Sequence, residues 1–397
     1  MKKWWALVAM CSSMVAAGVA AYLLGWPTGG DTAVYRAGAI ALLDGSPLYD
    51  ADELLAEPDW ALLPFTYPPT AALLFVPMAF VPSQVAWGLS MALSTVALVG
   101  VLWVTLRALP RRPDWLAPGK AAAVLGLSLL VIEPVRVTLE YGQINILLMA
   151  LVVLDVLVLR GRRYAGVLIG IAAAVKLTPL IFIAHLVLTG RREDAARAMG
   201  TFAALQGLLW LISDHDLVRY WTHTVFDPTR IGPTAGIWNQ SFSGMIRRLS
   251  DMASWAQPAA YLVGELALIP AAWLVLRLHR GQRPLHALLV TAFAGLLVSP
   301  VSWVHHWVWV VPLFVLLLAE YAFGNRMARW MLPVVVIAYF PPTPRFAALW
   351  GKDVFDWNLL QFLIGSSFIL TALGIGIAMA VAPTRAPRRR LDSVPVG

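Results

Sequence analysis

The sequence predicts an all-α polytopic membrane protein, and three observations carry that prediction. Of the 397 residues, 59% are hydrophobic and only 13% charged, whereas an ordinary soluble protein is about 25% charged. The mean hydropathy is +0.72. The apolar residues gather in blocks of roughly 17–25, the length that crosses a bilayer. A soluble enzyme and a nucleic-acid-binding domain are excluded, despite a net charge of +8. A disulfide scaffold is excluded too, because Cys11 is the only cysteine.

The first block, about Trp4 to Leu24, follows Lys2 and Lys3. Its apolar core is too long for a cleaved signal peptide, so an uncleaved span with a cytoplasmic N-terminus is expected. Further spans are expected near 84–107, 121–138, 143–160, 196–213, 257–277, 285–300, 305–321, 328–342 and 358–382. This makes about ten transmembrane helices. Two segments fit poorly as spans. Residues 67–82 contain Pro68, Pro69, Pro77 and Pro82. As a helix they would cover only about 24 Å at 1.5 Å per residue, less than the ~30 Å bilayer core. Residues 164–189 have arginines beyond both ends and carry Lys176 and Pro179 in the middle. Both are expected to be re-entrant, because broken backbone at membrane depth needs protein or water around it.

Charge sets the expected topology. With both termini and the loops at 107–120, 160–163, 190–197, 277–286 and 322–329 inside, most Lys and Arg residues face the cytoplasm, as the positive-inside rule requires. Residues 1–383 then form one integral membrane domain, and 384–397 a basic cytoplasmic tail. The outer loops are acidic by contrast. Residues 25–66 hold Asp31, Asp44, Asp50, Asp52, Glu53, Glu57 and Asp59 against one base, Arg36. Further polar residues fall at 214–256, at the turn from Ser299 to Trp307, and at 341–357. No internal repeat of the transporter kind is visible. Polar groups at one face point to chemistry at the outer surface.

Asp31 follows Gly29 and Gly30 and opens a segment suited to a helix lying on the surface. It is either an N-cap or a carboxylate placed to take a proton from a sugar hydroxyl. Asp50-Ala-Asp52 has a spacing that can hold a divalent cation, but three residues in an acidic loop are a weak signal. Tyr67-Pro68-Pro69 is either a rigid support or an aromatic wall for lipid or sugar. Glu133 and Arg136, three apart, neutralise each other on one helix face. Gln143 and Asn145 either bind a glycan or bridge helices. Lys176 is an intramembrane charge, which by default marks function. Either Asp155 or Glu265 neutralises it, or it binds a lipid phosphate. His305 and His306 are adjacent, hence about 100° apart on a helix and poor joint metal ligands. Trp303, Trp307 and Trp309 around them suit an interfacial belt. No nucleotide-cradling motif is present, so a glycosyl donor would carry its own lipid anchor.

Taken in order, several motifs resemble glycosyltransferase family 87, integral membrane enzymes that use polyprenyl-phosphate sugars. They are Asp31 to Tyr35, Asp44-Gly45-Ser46-Pro47-Leu48-Tyr49, Tyr67-Pro68-Pro69 with Pro77, and Gly142-Gln143-Ile144-Asn145. Next come Gly166 to Gly170 with Lys176-Leu177-Thr178-Pro179, Asn239-Gln240-Ser241, and Ser299-Pro300-Val301-Ser302-Trp303-Val304-His305-His306. The last two look most like the actinobacterial α-1,2-mannosyltransferases of phosphatidylinositol mannosides and lipomannan. The resemblance implies the membrane glycosyltransferase C fold, an active site on the extracytoplasmic side of the plasma membrane, and a glycolipid acceptor. It also implies that Asp31 is the base, with His305 or His306 assisting. On physical grounds Lys176 and Arg247 are assigned to the donor phosphate, and Tyr35, Tyr67, Gln143, Asn145, Asn239 and Gln240 to substrate. No metal or cofactor is expected. The alternatives are an arabinofuranosyltransferase, or a flippase for a lipid-linked sugar.

Overall fold

The computed structural model describes residues 4–51, 53–349 and 353–382. Asp52, Lys352, Lys2, Lys3 and the proposed tail at 384–397 lie outside the described residues. Within them every regular element of the chain is a helix. Its elements are α1 (Trp5–Leu23), α2 (Gly30–Asp44), α3 (Pro69–Ala79), α4 (Ser83–Ala108), α5 (Pro118–Ser128), α6 (Glu133–Tyr141), α7 (Asn145–Leu157), α8 (Val167–Val175), α9 (Ile181–Leu188), α10 (Arg192–Trp210), α11 (Asp214–Thr222), α12 (Phe242–Leu249), α13 (Ala256–Arg280), α14 (Pro284–Val298), α15 (Val310–Ala322), α16 (Arg326–Tyr339), α17 (Thr343–Ala348), α18 (Leu359–Gly365) and α19 (Ser367–Val381). The only extended pairing among the described residues is a bridge between Asn239 and Trp303.

Each expected span coincides with helix, but fewer helices than expected are long enough to cross a bilayer unaided. Four pass by length and composition among the described residues: α1, α4, α13, and α15 with the 3-10 turn Val304–Trp309 before it. Two further expected spans are broken. The segment 121–138 bends by 77° between α5 and α6, and 358–382 bends by 74° between α18 and α19. If each bent pair is one span, the total is six. The first break has a clear cause. Pro134 has no N–H with which to continue the ladder from α5, and Ile132 before it is extended (φ −67°, ψ 142°). At 143–160, 285–300 and 328–342 the helices α7, α14 and α16 are shorter than the segments that predicted them.

The two misfit segments are also irregular. α3 is an 11-residue helix with Pro77 inside it. The second segment splits at Lys176, which is extended (φ −148°, ψ 134°) between α8 and the 3-10 turn Thr178–Leu180. Pro179 cannot donate to the Val175 carbonyl, so a continuous helix would lose that bond and clash there.

α4, α7, α14 and the 304–322 segment form the centre, whereas α1 and α13 leave most of their apolar side chains uncovered. Apolar residues uncovered along a whole helix match a lipid-facing surface. α1 reaches α4 through Gly18 and Gly88. A Cβ on Gly18 would sit 2.5 Å from the Gln84 carbonyl, and one on Gly88 2.7 Å from that of Met14. Such close backbone approach is how helices associate where no water drives them together.

Candidate active site

The site forms where α2, α6, α7, the break at Lys176 and the 304–309 turn meet. Asp31 lies in the first turn of α2, but Gly29 is the cap and no side chain caps this helix. The carboxylate lies instead near the Gln143 side chain and Lys176. Burial pushes the Asp31 carboxyl up from 3.8 to about 6, against the opposing pull of the Gln143 side chain and the Lys176 charge. Thr32, the next residue, donates to the Gly142 carbonyl at 3.1 Å and ties α2 to the end of α6. Gly142 closes α6 in the left-handed region (φ 70°), which glycine occupies without penalty.

Around Gln143 the polar groups interlock. Its Oε1 accepts from Tyr35 at 2.9 Å, from Tyr67 at 3.1 Å and from Asn145 Nδ2 at 3.5 Å. The two tyrosine hydroxyls are 2.7 Å apart. Burial, with like charge nearby, raises both phenols well above their ordinary values, so they act as neutral donors. Asn145 Nδ2 also donates to the His305 carbonyl at 3.1 Å, and its Oδ1 accepts from Lys176 Nζ at 3.1 Å. Lys176 Nζ lies 3.1 Å from His306 Nε2 and 5.3 Å from the centre of the Tyr67 ring.

The carboxylate whose charge acts on Lys176 is Asp31, not Asp155 or Glu265. Asp155 serves elsewhere. It accepts from the backbone N–H groups of Gly166, Leu168 and Ile169 at 2.7, 3.0 and 3.2 Å, capping α8, and lies 3.7 Å from Arg191.

Eight of the eleven residues singled out from the sequence share this cluster: Asp31, Tyr35, Tyr67, Gln143, Asn145, Lys176, His305 and His306. The other three do not reach it. Asn239 is fully buried, takes the Ser302 N–H on its Oδ1 at 2.9 Å, and donates to the Thr234 and Pro300 carbonyls. Gln240 donates to the carbonyls of Ile237 and Gly365. Both brace the turn that carries the histidines. Arg247 is turned to Gln257, bonding its side-chain oxygen through Nε at 3.0 Å. Its neighbour Arg248 points the other way, into the carbonyls of Gly236 and Asn239 at 3.0 Å each. Adjacent residues on a helix diverge by about 100°, so only one of the two arginines can face inward.

Glu133 and Arg136 pair at 2.7 Å as their spacing indicates. Sequence reasoning missed a further cation there. Arg345, at the start of α17, brings Nε to 3.3 Å from the other Glu133 oxygen and stacks over Trp238 at 4.4 Å. Tyr141 joins the two regions, with its ring 6.0 Å from that of His305. The available signal was Glu133 itself: a buried carboxylate needs more compensation than one half-exposed arginine supplies. Of the Asp50-Ala-Asp52 pair, Asp50 faces Arg219 and His215, each at 3.8 Å. An apolar cleft opens beside Asn145 and His306 and runs between α7, α9 and α14, past Met149, Phe182 and Leu296.

The fold and the site together define a helical membrane-type protein with one buried polar centre, in which a carboxylate, an ammonium and two imidazoles meet. The profile of glycosyltransferase family 87 matches residues 65–300. A Mycobacterium tuberculosis protein named polyprenol-phosphate-mannose-dependent alpha-(1-2)-phosphatidylinositol mannoside mannosyltransferase is 31% identical over 98% of this chain and 96% of its own length. A Mycolicibacterium smegmatis protein of the same name is 35% identical over 72% of this chain and 68% of its own. A second Mycobacterium tuberculosis protein, named as the corresponding pentamannoside mannosyltransferase, is 36% identical over 80% of this chain and 73% of its own. No solved structure gives a significant match. The chain belongs to glycosyltransferase family 87.

Proposed function

We propose that this enzyme transfers mannose from polyprenyl-phosphate mannose to a phosphatidylinositol mannoside or related lipoglycan, forming an α-1,2 linkage with inversion at the extracytoplasmic face of the plasma membrane. The observation that carries the reading is that Asp31 and Lys176 act on each other's charge in the cluster around Gln143 and Asn145. A half-buried carboxylate raised to about 6 is a suitable proton acceptor near neutral pH, since a base works best when its pKa approaches the working pH. Lys176 supplies a compact cation, and His306 a second polar contact, for the donor phosphate. The cleft beside His306 suits the start of the isoprenoid chain.

In the displacement, the acceptor 2-hydroxyl oxygen attacks the anomeric carbon from the face opposite the phosphate. The new C–O bond forms as the bond to phosphate breaks. The hydroxyl proton goes to Asp31, and the electron pair leaves with polyprenyl phosphate. The charge growing on that leaving group is met by Lys176, a preorganised cation in a water-poor site. One inversion converts a β-linked donor into an α-linked product. The transition state is oxocarbenium-like, as in glycoside hydrolysis.

The test is mannosyl transfer by the purified protein in detergent, from labelled polyprenyl-phosphate mannose to an added phosphatidylinositol mannoside. An α-1,2-linked product is expected. Movement of the donor across a bilayer without transfer to any acceptor would sink the proposal.

A further inference from the structure

We propose that Arg345 is a specificity-determining residue that receives the phosphodiester of the glycolipid acceptor, at a phosphate contact separate from the one at Lys176. The inference rests on the reading above, in which the acceptor is a mannosylated phospholipid. It gives a role to a cation that the displacement itself does not use.

The ion pairs around Glu133 leave one guanidinium unengaged. Glu133 is buried, at 1% exposure. Arg136 donates to its Oε2 through Nε and Nη2, at 3.1 and 2.7 Å, and to Glu140 Oε2 through Nη1 at 2.6 Å. Arg345 comes within 3.3 Å of Glu133 Oε1, but neither its Nε nor that oxygen makes a hydrogen bond. No side chain or carbonyl among the described residues accepts from the Arg345 guanidinium. The four charges sum to zero, yet both carboxylates give their hydrogen bonds to Arg136, and Glu140 is half-exposed to water. Arg345 is itself 38% exposed and is held over Trp238, 4.4 Å from the ring centre. A guanidinium keeps its charge at every working pH and presents paired N–H groups that match two phosphate oxygens.

Elements of the site fix Arg345 from two sides. Glu133 opens α6. Further along this helix, Thr138 donates to the His305 carbonyl at 3.0 Å, and the Tyr141 ring lies 6.0 Å from that of His305. Trp238 precedes Asn239, which bridges to Trp303 just before the histidine turn. The two histidine rings stand at 86° to each other and divide that turn. His306 faces Lys176, the contact assigned to the donor phosphate. His305 faces Tyr141, on the side of α6 that leads to Glu133 and Arg345. Inversion brings the acceptor in on the face opposite the leaving group. The His305 side therefore suits the acceptor, and Arg345 is the unengaged cation on that side. The phosphodiester is the anionic group of a mannosylated phosphatidylinositol, so it is the part that a guanidinium selects.

The test compares two acceptors in detergent: phosphatidylinositol dimannoside, and dimannosyl diacylglycerol, which keeps the mannoses but has no phosphate. Arg345→Gln should raise KM for the first about 10-fold, the scale of one hydrogen bond to a charged group. Its kcat, its donor KM and its KM for the phosphate-free acceptor should stay within about 2-fold of the wild type. Arg345→Lys keeps the charge without the planar fork and should fall between. The competing role for Arg345 is to balance Glu133. The double variant Glu133→Gln/Arg345→Gln removes that role together with its cause. KM for the dimannoside should stay raised in it, and a return to the wild-type value would overturn the proposal. An equal rise for both acceptors would place Arg345 on sugar, and a rise in donor KM would place it on the donor phosphate; either result sinks the proposal. Lipid retention by the purified protein, read by native mass spectrometry, needs no turnover. The wild type should retain the dimannoside over the phosphate-free lipid, and Arg345→Gln should lose that preference. An unchanged preference would overturn the contact whether or not mannose is transferred. If Arg345→Gln loses phosphatidylglycerol to the same extent, the contact belongs to bulk lipid and the proposal also fails. A preference that depends on Arg345 in a protein that transfers no mannose would leave the contact standing and reject only the transfer reading.

Discussion

Lys176 and His306 meet Nζ to Nε2 at 3.1 Å, and the ammonium decides which imidazole nitrogen carries the proton. Nε2 accepts, so Nδ1 holds the hydrogen and the ring is neutral. A second positive charge beside Lys176 would be disfavoured by like-charge repulsion. Glutamine can present an oxygen near the same point. His306→Gln should therefore retain a measurable fraction of transfer, and His306→Ala much less. Lys176→Met should lower kcat/KM by at least about 10²-fold, as expected for loss of a cation that stabilises a leaving group. Steady-state kinetics on the three variants check this. Equal losses in the two histidine variants would contradict the acceptor role of Nε2.

Asp31 carries two predictions of opposite sign. Asp31→Asn should reduce transfer by about 10³-fold, the usual scale for a lost general base. The same change should stabilise the fold. The folded protein holds this proton more tightly than an unfolded chain, because the carboxyl rises from 3.8 to about 6. No stability is lost below 3.8, where both states are protonated. The cost grows as pH rises from 3.8 to about 6 and is complete above that. At neutral pH, Asn at this position should raise the melting temperature, by an amount corresponding to about 3 kcal/mol. Below pH 4 the gain should vanish. Transfer by the wild type should fall as pH drops through about 6.

Gly142 links backbone geometry to chemistry. Its φ is +70°, and a Cβ there would overlap Thr32 Oγ1, next to Asp31. Gly142→Ala should cost about 1–2 kcal/mol in backbone strain and reduce kcat through displacement of α2. Thr32→Ala in the same chain removes the overlapping atom and should recover part of the activity. If Gly142→Ala transfers mannose as well as the wild type, α2 and α6 are not coupled as described.

Asp155 is the structural counterpart of Asp31. It satisfies three backbone donors at the start of α8, and removing a partner from buried donors costs about 1–3 kcal/mol. Asp155→Ala should lower thermal stability in detergent and leave KM unchanged in the protein that remains folded. A specific rise in donor KM would instead place Asp155 in the site.

Much of this was legible in the sequence, for identifiable reasons. The helices were legible because apolar blocks in a chain this poor in charge have few other solutions. The broken segments were legible because Pro179 and the Pro68–Pro69 pair remove backbone donors wherever they fall. The lengths of the spans were not, since hydropathy does not register a bend such as the one before Pro134. Asp31 and Lys176 stood out individually as charges in costly places, but their pairing is a tertiary fact. Pattern alone offered Asp155 as readily. Asn239 and Gln240 were misleading because a polar side chain that braces a turn has the same composition as one that binds a sugar. Arg247 and Arg248 could not be told apart without the direction in which α12 faces.

The chain order of the site bears on how the enzyme comes into being. Asp31 emerges at the start of synthesis and Lys176 near the middle. His306, the histidine that completes the cluster, comes only after most of the helices. A growing chain thus carries its carboxylate and its ammonium through membrane insertion before the 304–309 turn can close over them. Under the proposed roles, a chain that ends before the 304–309 turn would hold the carboxylate and the ammonium without the His306 contact, and its completion would wait on the last third of synthesis.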